Sequence, residues 1–116
     1  MVRKLSAEEC QAAMTAGEFS PGILASAPAV AIILTQSWCP QWMWMKTYLG
    51  SFKDDQDIAI CTIEYDKESF FEDFMAFKEN TFGNDQVPYL RYYRDGKLIH
   101  ESNYIDKGGF LRFLKS

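Results

Sequence analysis

Cys10, Cys39 and Cys61 are the three thiols of this sequence, and each stands in a different setting. An odd number argues against a disulfide scaffold. No Cys-x-x-Cys pair occurs and His100 is the only histidine, so the ligand spacing of a zinc site is missing. Cys39 is set apart by Pro40, which follows it directly. Proline is favoured at the first position of a helix, which puts Cys39 at a helix N-terminus. Exposed backbone N–H groups and the positive end of the helix dipole favour a thiolate there. A thiolate can attack a disulfide sulfur and form a mixed disulfide. Cys10 falls on the apolar face of a helix and Cys61 within an apolar strand, where both are expected to be small buried hydrophobes.

Around Cys39 lies an aromatic and sulfur-rich cluster: Trp38, Trp42 and Trp44 with Met43 and Met45. Helical spacing turns Met45, Tyr48 and Leu49 to the core and leaves Trp38 and Trp42 near the cysteine. Exposed tryptophan is enriched at binding sites, so one reading is a recognition surface. The other is that Trp42 folds over the sulfur or simply packs. Trp44 is expected to pack. His100 reads as a surface strand residue, and Phe70, Phe71, Phe74 and Phe77 as core.

The elements that must position these residues follow from punctuation and period. Residues 2–5 suit a short strand. Ser6 and Glu9 form a capping box ahead of a helix with Ala7, Cys10, Ala13 and Met14 on one face, stopping near Gly17. Pro21 opens a short helical turn. Ala29 to Thr35 is continuously apolar and β-branched, the pattern of a strand buried on both faces. A helix runs from Pro40 to about Leu49, with Gly50 ending it. Asp57 to Glu64 is a further strand. Asp66 is expected to cap the phenylalanine-rich helix. Val87 to Tyr93 reads as a strand, Arg94-Asp95-Gly96-Lys97 as a two-residue hairpin turn, and Leu98 to Ser102 as its return. Gly108-Gly109 precedes a last helix with Phe110, Leu111, Phe113 and Leu114. The order β-α-β-α-β-α-β-β-α gives an α/β fold with a mixed sheet.

The chain has 116 residues, the length of one compact domain over 1–116. At 47% hydrophobic and 24% charged, it is globular rather than disordered. Twelve Lys and Arg against sixteen Asp and Glu give a net charge of −4, with no basic run, which disfavours nucleic acid or an anionic membrane as partner. No apolar stretch reaches the roughly 18 residues of a membrane span. The N-terminus has two basic residues without an apolar signal core, so a cytoplasmic protein is expected.

Three local matches make the chain resemble the thioredoxin family over nearly its whole length. An apolar strand runs into Trp38-Cys39-Pro40-Gln41-Trp42 at a helix start. Phe82-Gly83 is followed by Val87-Pro88, where the family has its cis-proline loop. The Asp95-Gly96-Lys97 turn between two strands is followed by Lys107-Gly108-Gly109 and a helix ending Phe113-Leu114. The resemblance implies a thioredoxin fold, a central mixed sheet with helices on both faces. It also implies that Pro88 is cis and lies against Cys39, with the Val87 backbone pairing with an extended substrate.

The departures from the family pattern bear on activity. Trp42 stands where Trp-Cys-Gly-Pro-Cys has its second cysteine, so the resolving thiol is missing. Ile33 replaces the family's buried aspartate, Thr62 its lysine and Tyr104 a groove glycine. Dithiol reductase activity is therefore not expected. The resemblance instead implies thiol redox homeostasis by a monothiol route. Cys39 would be the nucleophile, with Trp38, Pro40, Trp42, Val87, Pro88 and Tyr104 forming the partner-binding surface. The partner would be a protein disulfide or a glutathionylated protein, with glutathione or another thiol resolving the adduct. No cofactor or metal is called for. Two other readings stand beside this one. Either the fold is a redox-inactive binding module using the aromatic groove around Trp38, Trp42 and Val87-Pro88, or Cys39 is a sensor oxidised to a sulfenic acid or glutathionylated.

Overall fold

A computed structural model describes residues 1–115; Ser116, the last residue of the expected domain, lies outside the described residues. Five strands form one sheet: β1 (Val2–Lys4), β2 (Ala29–Thr35), β3 (Ile58–Glu64), β4 (Tyr89–Arg94) and β5 (Lys97–Ser102). Their spatial order is β1-β3-β2-β4-β5. β1, β3 and β2 are mutually parallel, while β4 runs antiparallel to β2 and β5 antiparallel to β4. The helices are α1 (Ala7–Ala16), α2 (Pro21–Leu24), α3 (Pro40–Leu49), α4 (Phe71–Asn80) and α5 (Lys107–Lys115). This is the α/β class with a mixed sheet that the sequence predicts.

The pleat of the buried strands sorts side chains into two cores. Val30, Ile32 and Leu34 of β2 and Ala59, Cys61 and Ile63 of β3 meet Cys10 and Ala13 of α1 and Phe74 and Phe77 of α4. Ala31 and Ile33 of β2 and Ile58 and Ile60 of β3 meet Trp42, Met45 and Leu49 of α3 and Phe110 and Leu114 of α5. β2 is buried at every position, which is why its sequence shows no alternation. Full burial of each large side chain contributes about 1.5–3 kcal/mol.

The local signals work as chemistry requires. Ser6 accepts from the Glu9 N–H while the Glu9 carboxylate accepts from the Ser6 N–H, and Gly17 closes α1 at φ 83°. The β4–β5 turn places Asp95 at φ 51° and Gly96 at φ 81°, the left-handed pair that a tight hairpin needs.

Several expectations are corrected. Asp66 does not cap α4. It sits in a 3₁₀ turn over Tyr65–Lys67, and α4 starts at Phe71 after Phe70. Gly108 and Gly109 lie inside α5 rather than before it. A Cβ on Gly109 would come within 2.7 Å of Ile105 Cγ1, so the glycine allows a close approach. β4 begins at Tyr89 rather than Val87, and the Val87–Pro88 peptide bond ahead of it is cis. His100 is half-buried and stacks on Phe113 at 4.4 Å between ring centroids.

Candidate active site around Cys39

β2 ends in the middle of the sheet and hands the chain to Gln36-Ser37-Trp38-Cys39, from which α3 departs. Pro40 occupies the first helical position and Cys39 the cap, its own N–H donating to the Gln36 carbonyl at 3.3 Å. The connecting loop is tied to the 3₁₀ turn after β3. The Asp66 carboxylate accepts from the Ser37 N–H at 2.8 Å and from the Ser37 hydroxyl at 2.6 Å. Burial works to raise the Asp66 pKa, but the two Ser37 donors, a backbone hydrogen bond and the Lys67 charge together hold it below the ordinary value. Gln36 links the loop outward: it donates to the Tyr65 hydroxyl at 3.2 Å and accepts from the Trp38 indole at 2.6 Å.

Opposite Cys39 stands the loop that carries Val87 and Pro88. The Cys39 Sγ donates to the Val87 carbonyl at 3.7 Å, an ordinary separation for sulfur. Two groups hold this loop from behind. The Lys78 ammonium, fully buried on α4, donates to the carbonyls of Asn84 at 2.7 Å and Gln86 at 2.8 Å. Burial lowers the Lys78 pKa. Asn103 donates to the Pro88 carbonyl at 3.1 Å and to Asn84 Oδ1 at 2.9 Å. Sequence periodicity gives no sign of Lys78 in this role, because a lysine in an amphipathic helix reads as a solvated residue.

Of the expected site residues, Cys39, Val87 and Pro88 are brought together. Pro40 lies beside them at the exposed start of α3. Cys39 itself is only 3% exposed. Trp42 is also 3% exposed and packs in the same core cluster. Its indole N–H donates to Glu64 Oε2 at 2.8 Å, so this ring is part of the interior and not an open recognition surface. Burial pushes the Glu64 pKa up, yet the Trp42 N–H with Lys67 and Lys46 together hold it below the ordinary value. Trp38 is 61% exposed. Trp44, expected to pack, is 60% exposed and meets the half-open Tyr104 edge-on at 6.2 Å. The exposed aromatic surface beside the site is therefore Trp38, Trp44 and Tyr104.

The other two thiols are walled off. Cys10 and Cys61 are fully buried in the core on the α1 and α4 side of the sheet, whereas Cys39 belongs to the core on the α3 and α5 side. All three are free. Burial pushes the Cys10 thiol up to about 12 and raises that of Cys61. Ile33 is fully buried where a charged helper would stand in the resembling family.

No family model matches the chain, and no curated protein matches it at a significant level. Solved structures do resemble it. Trxlp from Edwardsiella tarda EIB202 superposes with a TM-score of 0.63 at 20% identity, covering 98% of both chains. Thioredoxin O1 from Arabidopsis thaliana, in its oxidised state, gives 0.67 at 16% identity over 98% of this chain and 95% of its own. Glutaredoxin C1 from Populus tremula x tremuloides gives 0.55 at 19% identity over 90% of this chain and 96% of its own. The expected thioredoxin fold is the one observed.

Proposed function

We propose that this thioredoxin-fold chain is a thiol redox protein that exchanges disulfides through Cys39 alone. The contact between Cys39 Sγ and the Val87 carbonyl, at 3.7 Å across the cis Val87–Pro88 bond, carries this reading. It places one sulfur at the start of a ten-residue helix and beside backbone groups able to pair with an extended chain. On ionisation the sulfur loses the proton that bonds Val87 and can turn to an incoming disulfide. The thiolate forms a bond to one sulfur of a protein disulfide or a glutathionylated protein, and the other sulfur leaves as a thiolate. An external thiolate, with glutathione the natural supply in the cytoplasm, then attacks the mixed disulfide. It takes up the bound sulfur and returns Cys39 as a thiolate. No second cysteine takes part.

The low exposure of Cys39 favours a second reading. A covered sulfur beside the exposed Trp38, Trp44 and Tyr104 suits a partner-binding scaffold in which the cysteine does no chemistry. One experiment separates the two. Iodoacetamide alkylation of Cys39 in the folded protein is followed by peptide mass spectrometry, together with adduct formation on adding glutathione disulfide. Exchange predicts that Cys39 is alkylated in the folded protein. It also predicts a glutathione adduct on the Cys39 peptide that vanishes in Cys39→Ser. A Cys39 that resists both reagents in the folded protein leaves the scaffold.

A further inference from the structure

The side of α3 that faces β1 and the end of β3 encloses a cleft of about 660 Å³. That lies within the range of pockets that hold small molecules. Its charge is uneven. Arg3, Lys4, Lys46 and Lys67 line it, four of the chain's twelve basic residues, against a single carboxylate, Glu64. The chain as a whole carries a net charge of −4, so positive charge is concentrated here against the overall balance. A recess lined by one sign of charge focuses its field and gathers counter-ions.

Three of the four cations are also held in place. Arg3 is clamped by both oxygens of Glu9, at 2.9 and 2.8 Å, from outside the cleft. Lys46 reaches Glu64 at 3.6 Å and lies 5.6 Å from the centroid of the Trp42 ring. Lys67 reaches the other oxygen of Glu64 at 3.3 Å. Two ammonium groups thus share one carboxylate, whose own position is set by the Trp42 N–H. Lys4 has no ion-pair partner among the described residues.

We propose that this cleft binds a small anion with clustered oxyanion groups, a diphosphate or a polycarboxylate, between Lys46, Lys67 and the β1 cations. The site is distinct from Cys39 and does not depend on its reactivity. Trp42 connects the two regions, since it walls the cleft while packing in the same core as Cys39.

The test uses the full chain labelled with ¹⁵N, inorganic pyrophosphate and citrate as separate probes, and constant ionic strength. The indole N–H resonance of Trp42 is followed. A saturable shift is expected, with affinity at least about tenfold weaker in the Lys46→Ala, Lys67→Ala double variant. Both side chains are exposed, so the variant keeps its fold. Glu64→Gln removes the competing charge and should tighten binding several-fold, an effect that loss of structure would not mimic. Saturation by pyrophosphate alone assigns a phosphate ligand, by citrate alone a polycarboxylate, and by both any clustered oxyanion. A shift that never saturates overturns the proposal. So does an affinity unchanged in the double variant, or an equal loss in Lys97→Ala on the distant hairpin.

Discussion

The Trp42 indole donates its N–H to Glu64 at 2.8 Å, and this one bond sets what the residue in place of a resolving cysteine can do. The ring is interior and its polar edge is occupied. Trp42→Phe keeps most of the packing but removes a donor to an ionised, half-buried carboxylate. A hydrogen bond to a charged group contributes about 1.5–3 kcal/mol. We expect a loss within that range in urea unfolding, with Glu64→Gln in the same background recovering part of it.

Trp42→Cys places a second thiol three residues after Cys39, on the same helix face. It removes a large buried ring, so a stability loss of about 3–5 kcal/mol is expected. If Cys39 exchanges disulfides, the variant should also discharge a Cys39–glutathione adduct much faster than the parent does without added thiol. Adduct lifetime by mass spectrometry is the readout.

The Ser37–Asp66 pair should govern the order of the loop that presents Cys39. Asp66→Asn retains one acceptor of two and the shape of the group. A loss of about 1–3 kcal/mol is expected, with faster amide exchange at Ser37 and Trp38. Ser37→Ala removes only the hydroxyl bond and should cost less than Asp66→Asn.

Lys78→Met keeps an unbranched side chain one atom shorter and leaves the Asn84 and Gln86 carbonyls without their donor. Losing hydrogen bonds from a charged donor costs about 1.5–3 kcal/mol. The effect should be local, with hydrogen exchange rising at Gln86 and Val87 while the β2 amides stay protected.

Stability should also fall in acid through Glu9. Its hydrogen bonds to Arg3 hold the carboxyl at about 2, below the ordinary 4.5. A depressed carboxyl pKa means that the unfolded chain binds the proton more tightly. Its contribution is therefore complete above about 4.5 and is lost as pH falls toward 2. Glu9→Gln should flatten that part of the stability curve, measured by denaturation at pH 5, 3.5 and 2.5.

What the sequence discloses and what it hides divide along interaction range. The capping box at Ser6, the Asp95-Gly96 turn and the apolar run of β2 are read from neighbours a few residues apart, and each forms. Asp66 reads as a cap because a carboxylate near a helix start looks like one, while its partner Ser37 lies 29 residues away. Lys78 is invisible for the same reason: its partners are carbonyls of a loop, and carbonyls leave no trace in residue type. Helical spacing turns Met45 and Leu49 to the core. It does not show that Trp44 would be left open while Trp42 would find an interior acceptor in Glu64. At the site, the order of motifs places Cys39 against Val87, but the depth of its sulfur depends on how closely the two loops approach.

The sheet itself decides which of the chain's sulfurs can meet. Cys10 and Cys61 lie on one side of it and Cys39 on the other, with a wall of β-branched residues between. Cys39 therefore cannot bond to Cys10 or to Cys61 while the chain stays folded. If Cys39 exchanges disulfides, the sulfur it bonds must belong to an outside molecule. Under that reading the chain is a handle that is either bare or occupied, and its occupancy follows the supply of partners and free thiols around it.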